Sequence, residues 1–172
     1  MSWKVIGELT DKTVLGRGGI SNKKPRKTAR AIVVNDEGMY ALVYAKKFNL
    51  YGLPGGGFEL GETPVEALKR EVMEETGCEC NRIEQLGIVS ENRAHANYTV
   101  LSYYFVVHTH TTDGVPNYTK GEMNLGTSLK WCTFEEMNRL VRNIKHETNQ
   151  KRFLQARDIV ALDKYQEIYG KR

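Results

Sequence analysis

The sequence predicts an α/β fold, a mixed β-sheet held between layers of helices. Three observations lead there. Asn97 to Thr109 reads as a strand that is apolar on both faces, with Val100, Tyr104 and Val106 on one side and Leu101, Tyr103, Phe105 and Val107 on the other. Such a strand needs cover on both sides. A strongly capped helix from Thr63 to Gly77 falls between segments that read as strands, and two amphipathic helices follow the last strand. With 172 residues, 40% hydrophobic and 27% charged, the chain fits one domain, 1–172, with a core of about 29–144 and an extra C-terminal helix at 150–169.

The elements follow in order. Trp3, Val5 and Ile6 begin a short strand and Val14-Leu15 suggests another, before Gly16, Gly18 and Gly19 break the pattern. Lys23, Lys24, Arg26, Lys27 and Arg30 form a basic run, read as a solvated loop or as a rim that draws phosphates inward. Ala29 to Asn35 is a strand, Asp36-Glu37-Gly38 a turn and Met39 to Ala45 the returning strand. Tyr51 to Pro54 runs extended into Gly55-Gly56-Gly57, where the lack of side chains lets backbone approach a ligand. Thr63-Pro64-Val65-Glu66 is a capping box with proline in the first turn, and Gly77 is a natural stop, so the helix lies between them. Its apolar face is expected at Val65, Leu68 and Val72. Arg82 to Glu91 is a strand; His110 to Thr127 is a long polar loop of the kind that often carries function; Ser128 to Thr133 is the last strand. Thr133 to Glu136 is a second capping box, opening a helix with a stripe of Phe134, Met137, Val141 and Ile144. A final helix from about Gln150 to Tyr169 shows Leu154, Ala161, Leu162, Tyr165 and Tyr169 on one face.

The chemistry concentrates in Gly56 to Cys78, GGFELGETPVEALKREVMEETGC. Glu71, Glu74 and Glu75 stand at i, i+3 and i+4, so three carboxylates share one helix face. Like charges so placed repel by roughly 0.2–0.5 kcal/mol per pair. A hard divalent cation removes that repulsion, and carboxylate oxygens are the ligands Mg²⁺ prefers. The plainer reading is a solvated acidic face paired with Lys69 and Arg70. The spacing of Gly56, Glu62, Arg70, Glu71, Glu74, Glu75 and Gly77 tells against it, since a seven-position coincidence falls below about one in ten million per window.

That spacing resembles the signature box of the Nudix hydrolases, which use divalent metal to cleave a diphosphate linked to another group. The resemblance covers the box and the region from about Ala29 to Ile144 and says little about residues 1–28 or the last helix. It departs at Cys78, where the family usually has Ile, Leu or Val; Cys is also a small buried hydrophobe. It implies the family's α/β/α sandwich. It implies Glu71 and Glu75 as the main metal ligands, Glu74 ligating a further metal or its water, and the carbonyl of Gly55 as a backbone ligand. The metal would be Mg²⁺, with Mn²⁺ as the alternative. Arg70 would hold a ligand carboxylate in place, with Glu62 its structural partner. The base that activates water usually lies outside the box in this family. Glu122, ahead of the Trp131 strand, resembles its placement, and Glu91 competes for the role or else binds substrate or pairs with Arg93. Glu74, Glu122 and Arg70 thus form the catalytic set, and Arg30 and Glu91 the substrate-binding set.

The remaining residues narrow the partners. Cys78, Cys80 and Cys132 are an odd set without framework spacing, as expected of reduced thiols in a cytoplasm, and are read as packing residues. His108 and His110 alternate on one strand face, where solvation outweighs metal chelation. Tyr98, Tyr118 and Trp131 offer either base stacking or packing. Met1 to Thr10 carries Lys4 and Glu8 and does not resemble a signal peptide, and no run of apolar residues is long enough for a membrane span. The net charge of +4 suits an anionic substrate. The expected partner is a nucleotide-type small molecule; nucleic acid is disfavoured and a homodimer is left open. No proline occurs between Pro64 and Pro116, so the proline that ADP-ribose hydrolases tend to carry beyond the box is absent. The tail motif of the NADH pyrophosphatases and the upstream motif of the coenzyme A hydrolases are absent too. The function read is therefore hydrolysis of the diphosphate linkage of a nucleoside di- or triphosphate derivative. The alternatives are a non-catalytic ligand-binding module of the same fold and an RNA 5′-end pyrophosphohydrolase.

Overall fold

A computed structural model describes residues 2–110 and 113–170. Thr111 and Thr112 of the predicted loop, and the outermost ends of the predicted 1–172 domain, lie outside the described residues. The strands are β1 (Val5–Thr10), β2 (Arg26–Asn35), β3 (Tyr40–Ala45), β4 (Leu50–Gly52), β5 (Gly55–Gly57), β6 (Arg82–Arg93), β7 (Tyr98–Thr109) and β8 (Thr127–Cys132). The helices are α1 (Asp11–Leu15), α2 (Pro64–Thr76), α3 (Lys120–Asn124), α4 (Phe134–Asn143) and α5 (Asn149–Tyr169).

One mixed sheet runs β1-β6-β7-β2-β3-β4, with β5 added to β2 and β8 to β3. β1 with β6 and β2 with β7 are parallel; β6 and β7 are antiparallel. The alternation of β2 and β7 divides the core in two. Ala29, Ala31, Val33, Phe105 and Val107 face α2 and pack on Ala67, Leu68 and Val72. Ile32, Tyr104 and Val106 face the other way, onto Met137, Val141, Ala161 and Leu162 of α4 and α5. The doubly apolar Asn97 to Thr109 segment is thus the middle of a sandwich. Phe105 and Leu162 are both fully buried, and truncating such a side chain to Ala costs about 2–5 kcal/mol.

Several local expectations change. Val14 and Leu15 lie in α1, because Thr10 caps that helix through Thr13 N and Gly16 ends it at φ 74°. The basic run is only partly a loop: β2 begins at Arg26, so Arg26, Lys27 and Arg30 belong to a strand. The long loop contains α3, capped by Thr119. α2 has its predicted capping box and Gly77 stop, but Val65 is 37% exposed. The buried stripe of α2 is instead Ala67, Leu68, Glu71, Val72, Glu75 and Thr76, so two carboxylates lie within it. Thr133 caps α4 by accepting from Glu136 N, whereas the Glu136 carboxylate pairs with Lys130 at 2.9 Å rather than closing a box. On α5 the buried face includes Arg157 and Asp158, two charges in the middle of an apolar stripe.

Candidate active site

The glycine strand β5 sets the site. It pairs with β2, Gly55 opposite Arg30 and Gly56 opposite Ala29. Gly55 has φ 139°, and a Cβ there would meet the Ala29 carbonyl oxygen at 2.1 Å. A Cβ on Gly56 would meet Oε1 of Glu71 at 2.4 Å. The two glycines therefore let backbone lie directly against the carboxylates of α2. The Gly55 amide donates to Oε2 of Glu75 at 2.6 Å, so the contact seen here is through its N–H rather than the carbonyl expected as a metal ligand.

Arg70 organises the other side. Its Nε and Nη2 donate to the two oxygens of Glu62 at 2.7 and 2.9 Å, Nη1 donates to Glu71 at 2.7 Å and to Glu74 at 3.4 Å, and Nη2 also donates to the Gly57 carbonyl at 2.8 Å. One guanidinium thus ties three box glutamates to the glycine strand, as predicted for Arg70 and Glu62. The hydrogen bonds from Arg70 hold the Glu62 carboxyl down at about 2.

Glu71 and Glu75 are each 8% exposed. Burial pushes the Glu75 carboxyl up to about 8; the neighbouring Glu71 and Glu122 charges add to this, against the Gly55 amide and Arg30. Burial also raises Glu71, while Arg70 opposes it. A pair of buried acids with raised affinity for protons is a donor set that suits a hard divalent cation, which would supply the charge the pair lacks. Glu74 is turned toward Arg70, and among the described residues no three His, Cys, Asp or Glu side chains are grouped as an ion would need in this conformation.

The outlying predicted residues separate. Glu122 is half-buried on α3 and lines, with Glu75, a cleft of about 230 Å³. Its Oε2 accepts from the amide and hydroxyl of Thr119 at 2.7 and 2.8 Å. The loop before it is pinned to the end of α2: Asn117 N–H donates to the Glu74 carbonyl at 2.7 Å, and Tyr118 O–H to the Glu75 carbonyl at 3.5 Å. The stretch just before α3 is thereby fastened to the carboxylate helix. Glu91 lies inside the protein, its side chain 0% exposed, bound by Arg93 Nε and Nη2 at 2.8 and 2.5 Å, with Arg157 at 3.6 Å. Sealed there, it has no surface to offer substrate or a water, and the pairing with Arg93 is what the structure shows. Arg30 lines the cleft, donates to the Leu53 carbonyl at 3.0 Å and leaves its buried Nε without a partner.

Other candidates resolve as packing or surface pairs. His95 binds the buried Asp11, His110 pairs with Asp36, and His108 lies against Arg82 and Glu84. Cys78 is buried and Cys80 packs on the α2 core; the three thiols form no disulfide. Trp131 packs on that core as well, while Tyr98 lines a second, polar pocket. Arg157, Asp158 and Tyr104 were not legible as site residues. Asp158 accepts from Leu53 N–H at 3.0 Å and from Tyr104 O–H at 2.5 Å. The available signal was Arg157-Asp158 falling between Leu154 and Ala161 on a helix face otherwise apolar.

Residues 24–156 match the family model described as NUDIX domain. Over 60 residues the chain is 38% identical to a protein of Bacillus subtilis named putative 8-oxo-dGTP diphosphatase, the match covering 35% of this chain and 40% of that one. Over 90 residues it is 32% identical to the ADP-ribose pyrophosphatase of Methanocaldococcus jannaschii, covering 52% and 48%. The chain thus spans less than half the length of these curated relatives. A NUDIX hydrolase structure from Nitrosomonas europaea superposes with a TM-score of 0.61 at 24% identity, over 87% of this chain and 92% of that one. No helix among the described residues is long and apolar enough to cross a membrane.

Proposed function

Since the chain belongs to the NUDIX domain family, whose members are generally divalent-metal dependent, we propose that it is a pyrophosphohydrolase cleaving the diphosphate linkage of a nucleoside di- or triphosphate derivative. The observation that carries this is the clamp of Arg70 on Glu62, Glu71 and Glu74, which sets Glu71 against Gly56, while the Gly55 amide holds Glu75 beside it.

Glu71, Glu75, Glu74 and the Gly55 carbonyl would hold Mg²⁺, with Mn²⁺ as a substitute. A bound ion of this kind neutralises diphosphate charge and lowers the pKa of an attacking water. The protein's own groups do the rest. Arg70 keeps the carboxylates from turning away. Glu122, which lines the same cleft as Glu75, accepts the proton of the water, as a positioned carboxylate does in general base catalysis. Arg30, lining the cleft, offers its guanidinium charge to a phosphate oxygen. The apolar lining of the cleft, which includes Tyr51, Leu53, Leu125 and Leu154, suits a nucleoside. The products would be a nucleoside monophosphate and a phosphorylated remainder, or pyrophosphate from a triphosphate.

A panel of nucleoside triphosphates, nucleotide sugars, dinucleotides and 5′-triphosphate RNA with Mg²⁺, read by coupled phosphate release, tests the reading. Turnover of one class that disappears in Glu75→Gln is expected. Metal-dependent nucleotide binding without turnover of any of them would instead make the chain a binding module.

A further inference from the structure

Two cavities share the walls of β5, and only the apolar one is used by the chemistry above. The second encloses about 160 Å³ between Gly56 and Gly57 on one side and α5 on the other, and four arginines line it: Arg26, Arg30, Arg93 and Arg157. Arg30, Leu154 and Arg157 line both cavities, so the two adjoin.

Only some of the guanidiniums in this pocket have a close ion pair. Glu91 takes both hydrogen bonds from Arg93 and lies 3.6 Å from Arg157. Asp158 is 3.8 Å from Nε of Arg157, and its own hydrogen bonds come from Leu53 and Tyr104. The Asp158 and Glu75 charges act on Arg30 only at longer range, and among the described residues neither Arg26 nor Arg30 has an ion pair. The Nε atoms of Arg30 and Arg157 are buried and without hydrogen-bond partners, and Arg157 is 5% exposed. Buried N–H groups left without an acceptor are unfavourable. Arg26 lies close over the glycine strand, where a Cβ on Gly57 would meet its Nη2 at 2.5 Å.

We propose that this four-arginine pocket binds the terminal phosphates of a nucleoside triphosphate, with the base in the adjoining apolar cleft. A compact anion presents several acceptors to the guanidiniums that line the pocket, and guanidinium–phosphate hydrogen bonds are among the strong ones. An uncharged sugar would leave most of those donors unmatched. The assignment of the scissile bond rests on the hydrolase reading; the anion pocket stands without it. Arg157 and its neighbour Gln150 come from α5, beyond the glutamate box, and would serve binding rather than the chemical step.

The test uses Arg26→Met, at an exposed position, and Arg157→Met, at a buried one. The first readout is the rise in melting temperature caused by inorganic pyrophosphate in EDTA, where no turnover occurs. The wild-type protein is expected to show the rise, and both variants to lose most of it. The second is kcat/KM with Mg²⁺ on a nucleoside triphosphate against UDP-glucose. Loss of one charge-assisted hydrogen bond predicts a drop of about 10–100-fold for Arg26→Met on the triphosphate and of less than about threefold on the nucleotide sugar. No pyrophosphate effect in the wild type, a full effect in Arg26→Met, or equal drops on the two substrates overturns the proposal. If Arg157→Met does not fold, Arg26→Met decides. A wild-type protein that responds to pyrophosphate yet hydrolyses nothing sinks the hydrolase reading and leaves the anion pocket standing.

Discussion

The same substitution at two adjacent glycines should separate stability from catalysis. In Gly55→Ala the new Cβ meets backbone, the Ala29 carbonyl at 2.1 Å and the Arg30 Cα at 2.6 Å, on a residue with φ 139°. Neither neighbour can move without lifting β5 off β2. Strain of about 1–3 kcal/mol from the backbone conformation and about 1–2 kcal/mol from the disturbed Gly55–Glu75 hydrogen bond give about 3 kcal/mol in all. For a chain of this size that lowers Tm by roughly 6–12 °C. In Gly56→Ala the atoms nearest the Cβ are those at the end of the Glu71 side chain, Oε1 at 2.4 Å and Cδ at 2.6 Å, and that carboxylate can swing aside. The stability loss is then about 1 kcal/mol, the Arg70–Glu71 hydrogen bond, or roughly 2–4 °C. A carboxylate displaced by an ångström, however, costs about 10²-fold in turnover. The assays are thermal melts and Mg²⁺-dependent hydrolysis of the best substrate. Gly56→Ala melting as low as Gly55→Ala, or hydrolysing at the wild-type rate, refutes the placement of Glu71 against the glycine strand.

Glu75→Gln should abolish turnover by at least about 10²-fold while the metal-free protein melts no lower than wild type, since a buried carboxylate is lost. The pH profile follows from the same group: burial puts its folded pKa at about 8, above the ordinary 4.5 of a glutamate, so the folded state binds more protons in between. Metal-free stability should therefore fall as pH rises through that window and fall less in Glu75→Gln; parallel melting curves from about pH 5 to 8 would count against it. Mg²⁺ or Mn²⁺ should raise Tm at neutral pH and less in acid, where protons compete for the carboxylates, and a pH-independent rise would argue against carboxylate ligation. Glu122→Gln should lower kcat by roughly 10²–10⁴-fold with Tm nearly kept. Glu91→Gln should instead lose about 3–5 kcal/mol of stability by leaving Arg93 and Arg157 uncompensated; retained kcat in Glu122→Gln would remove it from the base role.

Local patterns carried much of this architecture. The cap at Thr63, the stop at Gly77 and the two-faced strand of Val100 to Val107 are short-range signals, and they gave α2 and the sheet interior. The Arg70–Glu62 pairing was legible through the family resemblance that the box carries. What failed was long-range. Val14-Leu15 looks extended until Thr10 and Thr13 close a cap around it. Glu91 looks like any strand-end carboxylate until β6 is seen to bring it under Arg157, which lies 66 residues on in the chain. The polar half of α5 was invisible for the same reason: Arg157 and Asp158 interrupt an apolar stripe, and only their partners Tyr104, Leu53 and Glu91, scattered over three other segments, explain why they are inside.

That pair also decides how α5 can dock. Its apolar residues, among them Ala161, Leu162 and Tyr165, could slide along the sheet by one helical turn, about 5.4 Å, and still find apolar neighbours. Asp158 could not. Displaced by a turn, it would lose the Leu53 amide and the Tyr104 hydroxyl together, and Arg157 would lose Glu91. Leu and Ala make the helix adhere; the two charges give it an address. Gln150 and Leu154 inherit their positions beside Gly56 and Gly57 from that address, two turns and one turn away from it along the same helix.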